Sequence, residues 1–155
     1  MKKYEFTGKT LDWYNRILHR IRALKDFDNV KAGDIGGWIE KEENLAHEGD
    51  CWVYGEAKVY DEAKVSGSAE VSGFVKVCGL AIIEETKDYM TAGPIGSRDD
   101  VTTAFRTLNG ARIKCCCFYG NIEEFEEKIK GTHGDNKHAK EYLALAELLK
   151  VRFGE

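Results

Sequence analysis

The chain reads as mainly β with α: a short parallel β-helix of six-residue units over 51–83, an N-terminal β cap over 1–50 and a C-terminal α+β unit over 84–155. Three observations lead there. Five consecutive hexapeptides repeat in phase from Val53 onward. Sixteen glycines stand against one proline, the ratio of a chain that turns many tight corners and has little use for a rigid φ. After the repeats, an Asn-Gly pair and two helix starts follow one another, the pattern of a hairpin covered by helices.

Residues 1–30 supply two short strands, Lys3–Thr7 and Ile17–Ala23, joined through Asn15. In the second, Ile17, His19, Ile21 and Ala23 alternate with Leu18, Arg20, Arg22 and Leu24, as on a strand with one wetter face. Gly36-Gly37 allows a tight bend into the repeats. Trp38 and Trp52 are large enough to plug the open end of a solenoid, with stacking of a flat ligand as the sharper alternative.

In the repeats, Val53, Val59, Val65, Val71 and Val77 recur, and Ala57, Ala63, Ala69, Val75 and Ala81 follow each valine by four residues. The third position is Gly55, Asp61, Gly67, Gly73 and Gly79, residues that tolerate a left-handed backbone. A branched residue fills the interior, a small one relieves the corner, and glycine makes the bend. This pattern resembles the hexapeptide-repeat left-handed β-helix, with about three hexapeptides per coil. The resemblance brings an acyltransferase to mind, but those enzymes are longer, trimeric solenoids with a catalytic histidine near a subunit boundary. Here the array contains no histidine, and His47 lies just before it. A solenoid this short with open ends is expected to form a homo-oligomer, since bare strand edges seek partners.

Beyond Ile83 the best local signal is Asn109-Gly110, a two-residue type I′ turn. It would fold Val101–Leu108 onto Ala111–Phe118, with Leu108 opposite Ala111, Arg106 opposite Ile113, Ala104 opposite Cys115 and Thr102 opposite Cys117. Asn121 and Glu124 then make a capping box for a helix with the stripe Ile122, Phe125 and Ile129, ended by Gly131. Its Glu123, Glu124, Glu126 and Glu127 make an acidic face near the positive end of the helix dipole. The second helix starts near Asp135-Asn136 and runs to about Phe153, burying Ala139, Leu143, Ala146 and Leu149 beside Tyr142 and Phe153.

Composition narrows the function classes. Hydrophobic residues make up 43%, enough for a core, and no apolar run approaches a membrane span of ~20 residues. The start, Met1-Lys2-Lys3-Tyr4-Glu5, carries no apolar signal core, so a cytoplasmic location is expected. The net charge is −4, with 12 basic and 14 acidic residues before Glu84 and 11 and 13 after, so neither half is a basic module for duplex nucleic acid.

Five cysteines, an odd count, include the run Cys115-Cys116-Cys117. On a continuous strand Cys116 points away from its neighbours, no Cys-x-x-Cys pair exists, and no metal site is expected. These thiols read as small buried residues, with a reactive Cys117 near His133 as the sharper alternative.

The loop Gly93–Asp100 carries Arg98 and leads into Thr102 and Thr103. It matches neither a Walker nor a dinucleotide fingerprint, so no cofactor is expected. Glycine amides, a guanidinium and hydroxyls are nonetheless what binding a small anion requires. The segment Thr132–His138, with His133, Asn136 and His138, sits at a helix N-terminus, where free N–H groups also favour anions. If the two loops converge, Arg98, Thr102, Thr103, His133, Asn136 and His138 form one ligand site, with Trp38 or Tyr142 to stack a base.

The stretch Ala32-Gly33-Asp34-Ile35-Gly36-Gly37-Trp38-Ile39-Glu40-Lys41-Glu42-Glu43-Asn44-Leu45, followed by the hexapeptides, resembles small β-helix proteins encoded by bacteriophages and prophages. Cys117–Phe125 with Thr132–Asn136 resembles a module of phage-linked proteins. The resemblance implies a phage context in a host bacterial cell and no settled activity, so no catalytic residue is carried over. Three functions follow as expectations. The first is a non-enzymatic sponge that sequesters an anionic nucleotide signal of host defence, a cyclic nucleotide or an ADP-ribose derivative. The second is a protein–protein inhibitor or scaffold of a defence complex. The third is an acyltransferase-like or Cys/His enzyme.

Overall fold

The hexapeptides close on themselves. In the computed structural model, which describes residues 2–155, the chain divides after Asp88 into two units. Met1, the first residue of the polar start noted above, lies outside the described residues.

The first unit opens with β1 (Tyr4–Trp13) and β2 (Arg16–Ala23), an antiparallel pair longer than the sequence pattern suggests. Its turn, Tyr14-Asn15, has positive φ at both residues (47° and 64°), so the asparagine does mark the turn while the tyrosine is carried along with it. The simple alternation expected for the second strand does not hold. A register shift between Arg20 and Arg22 buries Leu18, Ile21 and Ala23 and leaves Ile17 exposed.

Next come β3 (Ile35–Ile39), antiparallel to β2, a 3-10 turn at Glu42–Asn44, and six two-residue strands: β4 (Trp52–Val53), β5 (Lys58–Val59), β6 (Lys64–Val65), β7 (Glu70–Val71), β8 (Lys76–Val77) and β9 (Ile82–Ile83). Three parallel ladders pair Val53 with Val71, Val59 with Val77 and Val65 with Ile83, an offset of eighteen residues each time. Three hexapeptides therefore make one circuit.

The repeat reaches further back than the in-phase valines do. Ile39 pairs with Val59 and Leu45 bridges to Val65, both at an offset of twenty. The two extra residues fall between Leu45 and Val53, and they break the phase that the eye follows. Ile39, Leu45, Val53, Val59, Val65, Val71, Val77 and Ile83 are all buried, and so are Cys51, Ala57, Ala63, Ala69, Val75 and Ala81 at the small position. Gly37 occupies that small position in the earliest circuit. A Cβ there would lie 2.6 Å from the Ala57 carbonyl oxygen and from Val53 Cγ1, so only glycine fits. At the corners Gly55, Asp61, Gly67, Gly73 and Gly79 all take positive φ, as the third-position pattern requires.

Side chains from the first strands and loops bind the circuits together. Buried Asn44 accepts hydrogen bonds at Oδ1 from the Glu40 and Lys41 amides, and its Nδ2 donates to the Asp61 and Ala63 carbonyls on the next circuit. Fully buried Lys3 donates to the Gly49 and Cys51 carbonyls, and the Tyr4 hydroxyl donates to those of Leu45 and Glu42. Trp52 is buried against Tyr4 and Phe27, while Trp38 lies under Arg20 and donates its Nε1 to Glu56.

The second unit is an antiparallel sheet in sequential order, β10 (Tyr89–Ile95), β11 (Asp100–Thr107), β12 (Gly110–Cys115) and β13 (Phe118–Gly120), followed by α1 (Ile122–His133) and α2 (Lys137–Phe153). Strand β10 takes in the start of the segment expected to be a loop, and Gly93-Pro94 interrupts it at a register shift. The hairpin exists, but its two turn residues are Leu108-Asn109, so each partner lies two residues from the register expected for an Asn109-Gly110 turn. Arg106 faces Ala111 and Ala104 faces Ile113, because positive φ falls on Gly110 but not on Asn109. Neither turn residue has the positive φ that a type I′ turn requires.

Helix α1 keeps the Asn121–Glu124 capping box but runs through Gly131 to stop at Gly134, whose φ is 64°. Both helices cover one face of the sheet, and the core between them comprises Ala104, Ala111, Ile113, Phe125, Tyr142 and Leu149 with their neighbours. Leu145 is buried there, and Leu143, expected in its place, is half-buried.

Candidate functional site

A cavity of about 290 Å³ opens in the second unit where the β10–β11 turn, the β12–β13 turn and the last two turns of α1 come together. Helical spacing explains the α1 wall: Phe125, Lys128, Ile129, Thr132 and His133 fall on one stripe. Phe118, Phe125 and Ile129 make the floor apolar, and Ser97, Arg98, Asp100, Lys128 and His133 bring polar and charged groups to the walls. Tyr142 reaches in from α2 and fixes the first turn. A Cβ on Gly96 would stand 1.8 Å from the Tyr142 hydroxyl oxygen, so the turn packs directly on the phenol. Burial, and after it the adjacent Cys115, push the Tyr142 phenol up to about 12, so it stays protonated.

The cysteine run forms the third wall, and here the expectation from a continuous strand fails. Strand β12 ends at Cys115, which pairs with Phe118, so Cys116-Cys117 is a two-residue turn with Cys116 at φ 56°. The strand is broken where it would have separated the sulfurs, and all three residues line one cavity. Arg98 Nη1 donates to Cys116 Sγ at 3.5 Å, and that thiol donates to Asp100 Oδ2 at 3.8 Å. Thr102 Oγ1 donates to Cys115 Sγ at 3.3 Å. Among the described residues no three His, Cys, Asp or Glu side chains are grouped as a metal ion requires.

The residues singled out from sequence divide as follows. Arg98 and His133 line the same cavity, so the two polar segments do meet in space. Thr102 lies buried behind it and reaches it through Cys115, whereas Thr103 is on the opposite face of the same strand and has no part in it. Asn136 uses its side-chain oxygen to cap α2, accepting from the Ala139 amide at 2.9 Å. The His138 ring lies 5.8 Å from that of His133, which in turn stacks on Tyr142 at 5.9 Å and 22°. Cys117, paired with His133 only in the alternative reading of the thiols, shares the cavity wall with it. Of the two candidate stacking platforms, Tyr142 is at the cavity and Trp38 is 5% exposed and engaged elsewhere.

Lys128 and the floor aromatics do not stand out in the sequence as site residues, and Thr132 does so only as the first residue of the Thr132–His138 segment. Their signal is the i, i+3, i+4 stripe of α1, which by itself reads only as a core face.

No family model matches the chain. It is 52% identical over 40 residues to the uncharacterized acetyltransferase YdcK of Escherichia coli (strain K12). The match takes in 26% of this chain and 12% of that protein, so the chain spans a small part of its relative. The likeness is consistent with a hexapeptide-repeat protein. No helix among the described residues is long and apolar enough to cross a membrane.

Proposed function

We propose that the first unit is a left-handed parallel β-helix serving as scaffold, and that the second unit binds a small anionic ligand without chemical turnover. The observation that carries the binding reading is the shared cavity of Arg98 and His133. Arg98 and Lys128 supply cationic donors for a phosphate, and Ser97 and Thr132 supply hydroxyls. The stacked His133–Tyr142 pair and the phenylalanine floor suit a flat aromatic base.

At about 290 Å³ the cavity sits at the lower end of ligand pockets, roughly 300–1,000 Å³, which favours a mononucleotide or one arm of a larger nucleotide over a whole cyclic dinucleotide. In the phage setting suggested by the sequence phrases, such a ligand would be a nucleotide signal of host defence. Calorimetric titration with AMP, ADP-ribose and cyclic dinucleotides tests this. Saturable heat that disappears in Arg98→Ala is expected, and flat titrations across the panel would end the reading.

Acyl transfer is the second reading, favoured by the 40-residue likeness to a protein named an acetyltransferase. Against it, His47, which lies between Leu45 and Val53 within the circuits, is already committed. Its Nδ1 accepts from the Lys3 amide, its Nε2 meets Glu42, and its ring stacks on Tyr4. Release of free thiol from acetyl-CoA, lost in His47→Ala, would establish the second reading over the first.

A further inference from the structure

The three-thiol wall is not used by anion binding as such, and its geometry has chemistry of its own. Cys116 and Cys117 are the two residues of a tight turn; Cys117 is exposed, and Cys116 holds Arg98 through its sulfur. Cys115 is placed differently, on the ladder opposite Phe118 with Thr102 donating to its sulfur.

We propose that the Cys116–Cys117 turn is a reversible dithiol site that reacts with a low-molecular-weight disulfide, and that closure of the pair releases Arg98. In the first step the exposed Cys117 sulfur attacks one sulfur of the small disulfide. A protein–ligand S–S bond forms, the original S–S bond breaks, and one thiol leaves carrying the proton that Cys117 gave up. In the second step the Cys116 sulfur attacks that of Cys117, its proton passing by way of the Asp100 carboxylate it already faces to the second small thiol as that thiol leaves. Two protein thiols are oxidised and one small disulfide is reduced to two thiols.

Adjacent Cα atoms stand about 3.8 Å apart, below the usual disulfide span of about 4.4–6.8 Å, so the closed pair is strained and easily reduced. That places it with labile disulfides rather than structural ones. Closure draws Cys116 Sγ toward Cys117 and away from Arg98. The consequence for ligand affinity rests on the anion-binding reading, whereas the thiol chemistry does not.

The test equilibrates the full chain in buffers of oxidised and reduced glutathione, blocks remaining thiols by alkylation and maps the peptides by mass. A loss of two hydrogens confined to Cys116 and Cys117, reversed by excess reduced glutathione, is expected. Cys116→Ser should stall as a glutathione adduct on Cys117, and Cys117→Ser should form neither product. Labelling of Arg98 by phenylglyoxal should rise roughly three- to tenfold on oxidation, the equivalent of one hydrogen bond, and equally in Cys116→Ala without oxidation.

A bridge to Cys115, no bridge at all, or unchanged Arg98 labelling would overturn the proposal. AMP titration of the reduced and oxidised protein is read separately, so absence of AMP binding counts against the ligand reading while the mass and labelling results judge the switch.

Discussion

Two glycines in the second unit predict opposite outcomes for the same substitution. At Gly96 an added methyl group would lie 1.8 Å from the Tyr142 hydroxyl oxygen and 2.0 Å from Cζ, on a backbone with φ +77°. Tyr142 cannot simply swing aside, because it packs edge-on to Phe125 and stacks with His133. Overpacking costs about 1–3 kcal/mol and an L-residue at left-handed φ about 1 more, so Gly96→Ala should destabilise by roughly 2–4 kcal/mol. Gly131, in contrast, is an exposed interior residue of α1. An added methyl there would have nothing within 4 Å and no positive φ to contend with, so alanine should stabilise by about 0.5–1 kcal/mol.

For a unit the size of Tyr89–Glu155, about 4–8 °C accompanies each kcal/mol, giving a fall of about 8–30 °C against a rise of about 2–8 °C. Both helices lie in the second unit and all three tryptophans in the first, so far-ultraviolet circular dichroism and tryptophan fluorescence follow the units separately. The dichroism transition should carry both shifts. A Gly96→Ala protein that melts with the wild type would refute the packing argument and with it the fixed position of the Arg98 turn.

Other outcomes follow from the same geometry. Asn44→Ala removes the side-chain partner of the Lys41 amide and of the Asp61 and Ala63 carbonyls in a buried corner, while the Glu40 amide keeps the Val59 carbonyl, and should cost roughly 2–4 kcal/mol, read by tryptophan fluorescence in urea. Asn121→Ala removes the capping oxygen that accepts from the Glu124 amide and should cost about 1 kcal/mol in the helical signal. The Tyr142 phenol is raised in the folded state, so its contribution to stability is complete below the ordinary phenol range near 10 and is lost as pH climbs through about 12. Across that window the wild type should lose stability to urea more steeply than Tyr142→Phe, and equal slopes for the two proteins would contradict the buried placement of the phenol.

The repeats are legible because a circuit of eighteen residues writes its period directly into the chain, with Val53 to Val77 and Ala57 to Ala81 in step. Legibility fails at Ile39 and Leu45, where two extra residues before Val53 shift the phase without changing which side chains are buried. It fails again wherever the backbone departs from a two-residue period. The irregularity near Arg20 moves Ile21 inward, and a turn at Leu108-Asn109 shifts the hairpin register by two residues. Helix starts are clear from Asn121 and Asn136, whose side chains cap the amides three residues on. The stop is harder to place because Gly131 has an ordinary helical backbone, and the left-handed residue that ends α1 is Gly134.

The cavity is half visible in the sequence for a related reason. Arg98 and His133 announce themselves by residue type, but their convergence depends on the strand β10 that precedes Arg98 and on α1 extending past Gly131 to carry His133. For the cysteines, a sound rule meets the wrong backbone: alternation separates adjacent sulfurs on a strand, and this strand ends at Cys115. Once Cys116 takes φ 56°, its sulfur lies beside Arg98 and Asp100. The Nη1 donor of Arg98 is then engaged by a thiol, and an anion that uses this N–H competes with the sulfur for it. Oxidation, which withdraws the sulfur, should therefore raise AMP affinity in the wild type by roughly three- to tenfold, the equivalent of one hydrogen bond. Cys116→Ala frees Arg98 without any oxidation and should show the higher affinity in reducing buffer, while Cys117→Ser should keep the lower one in both buffers. Equal AMP affinity in reduced wild type and Cys116→Ala would show that the thiol does not hold the guanidinium back.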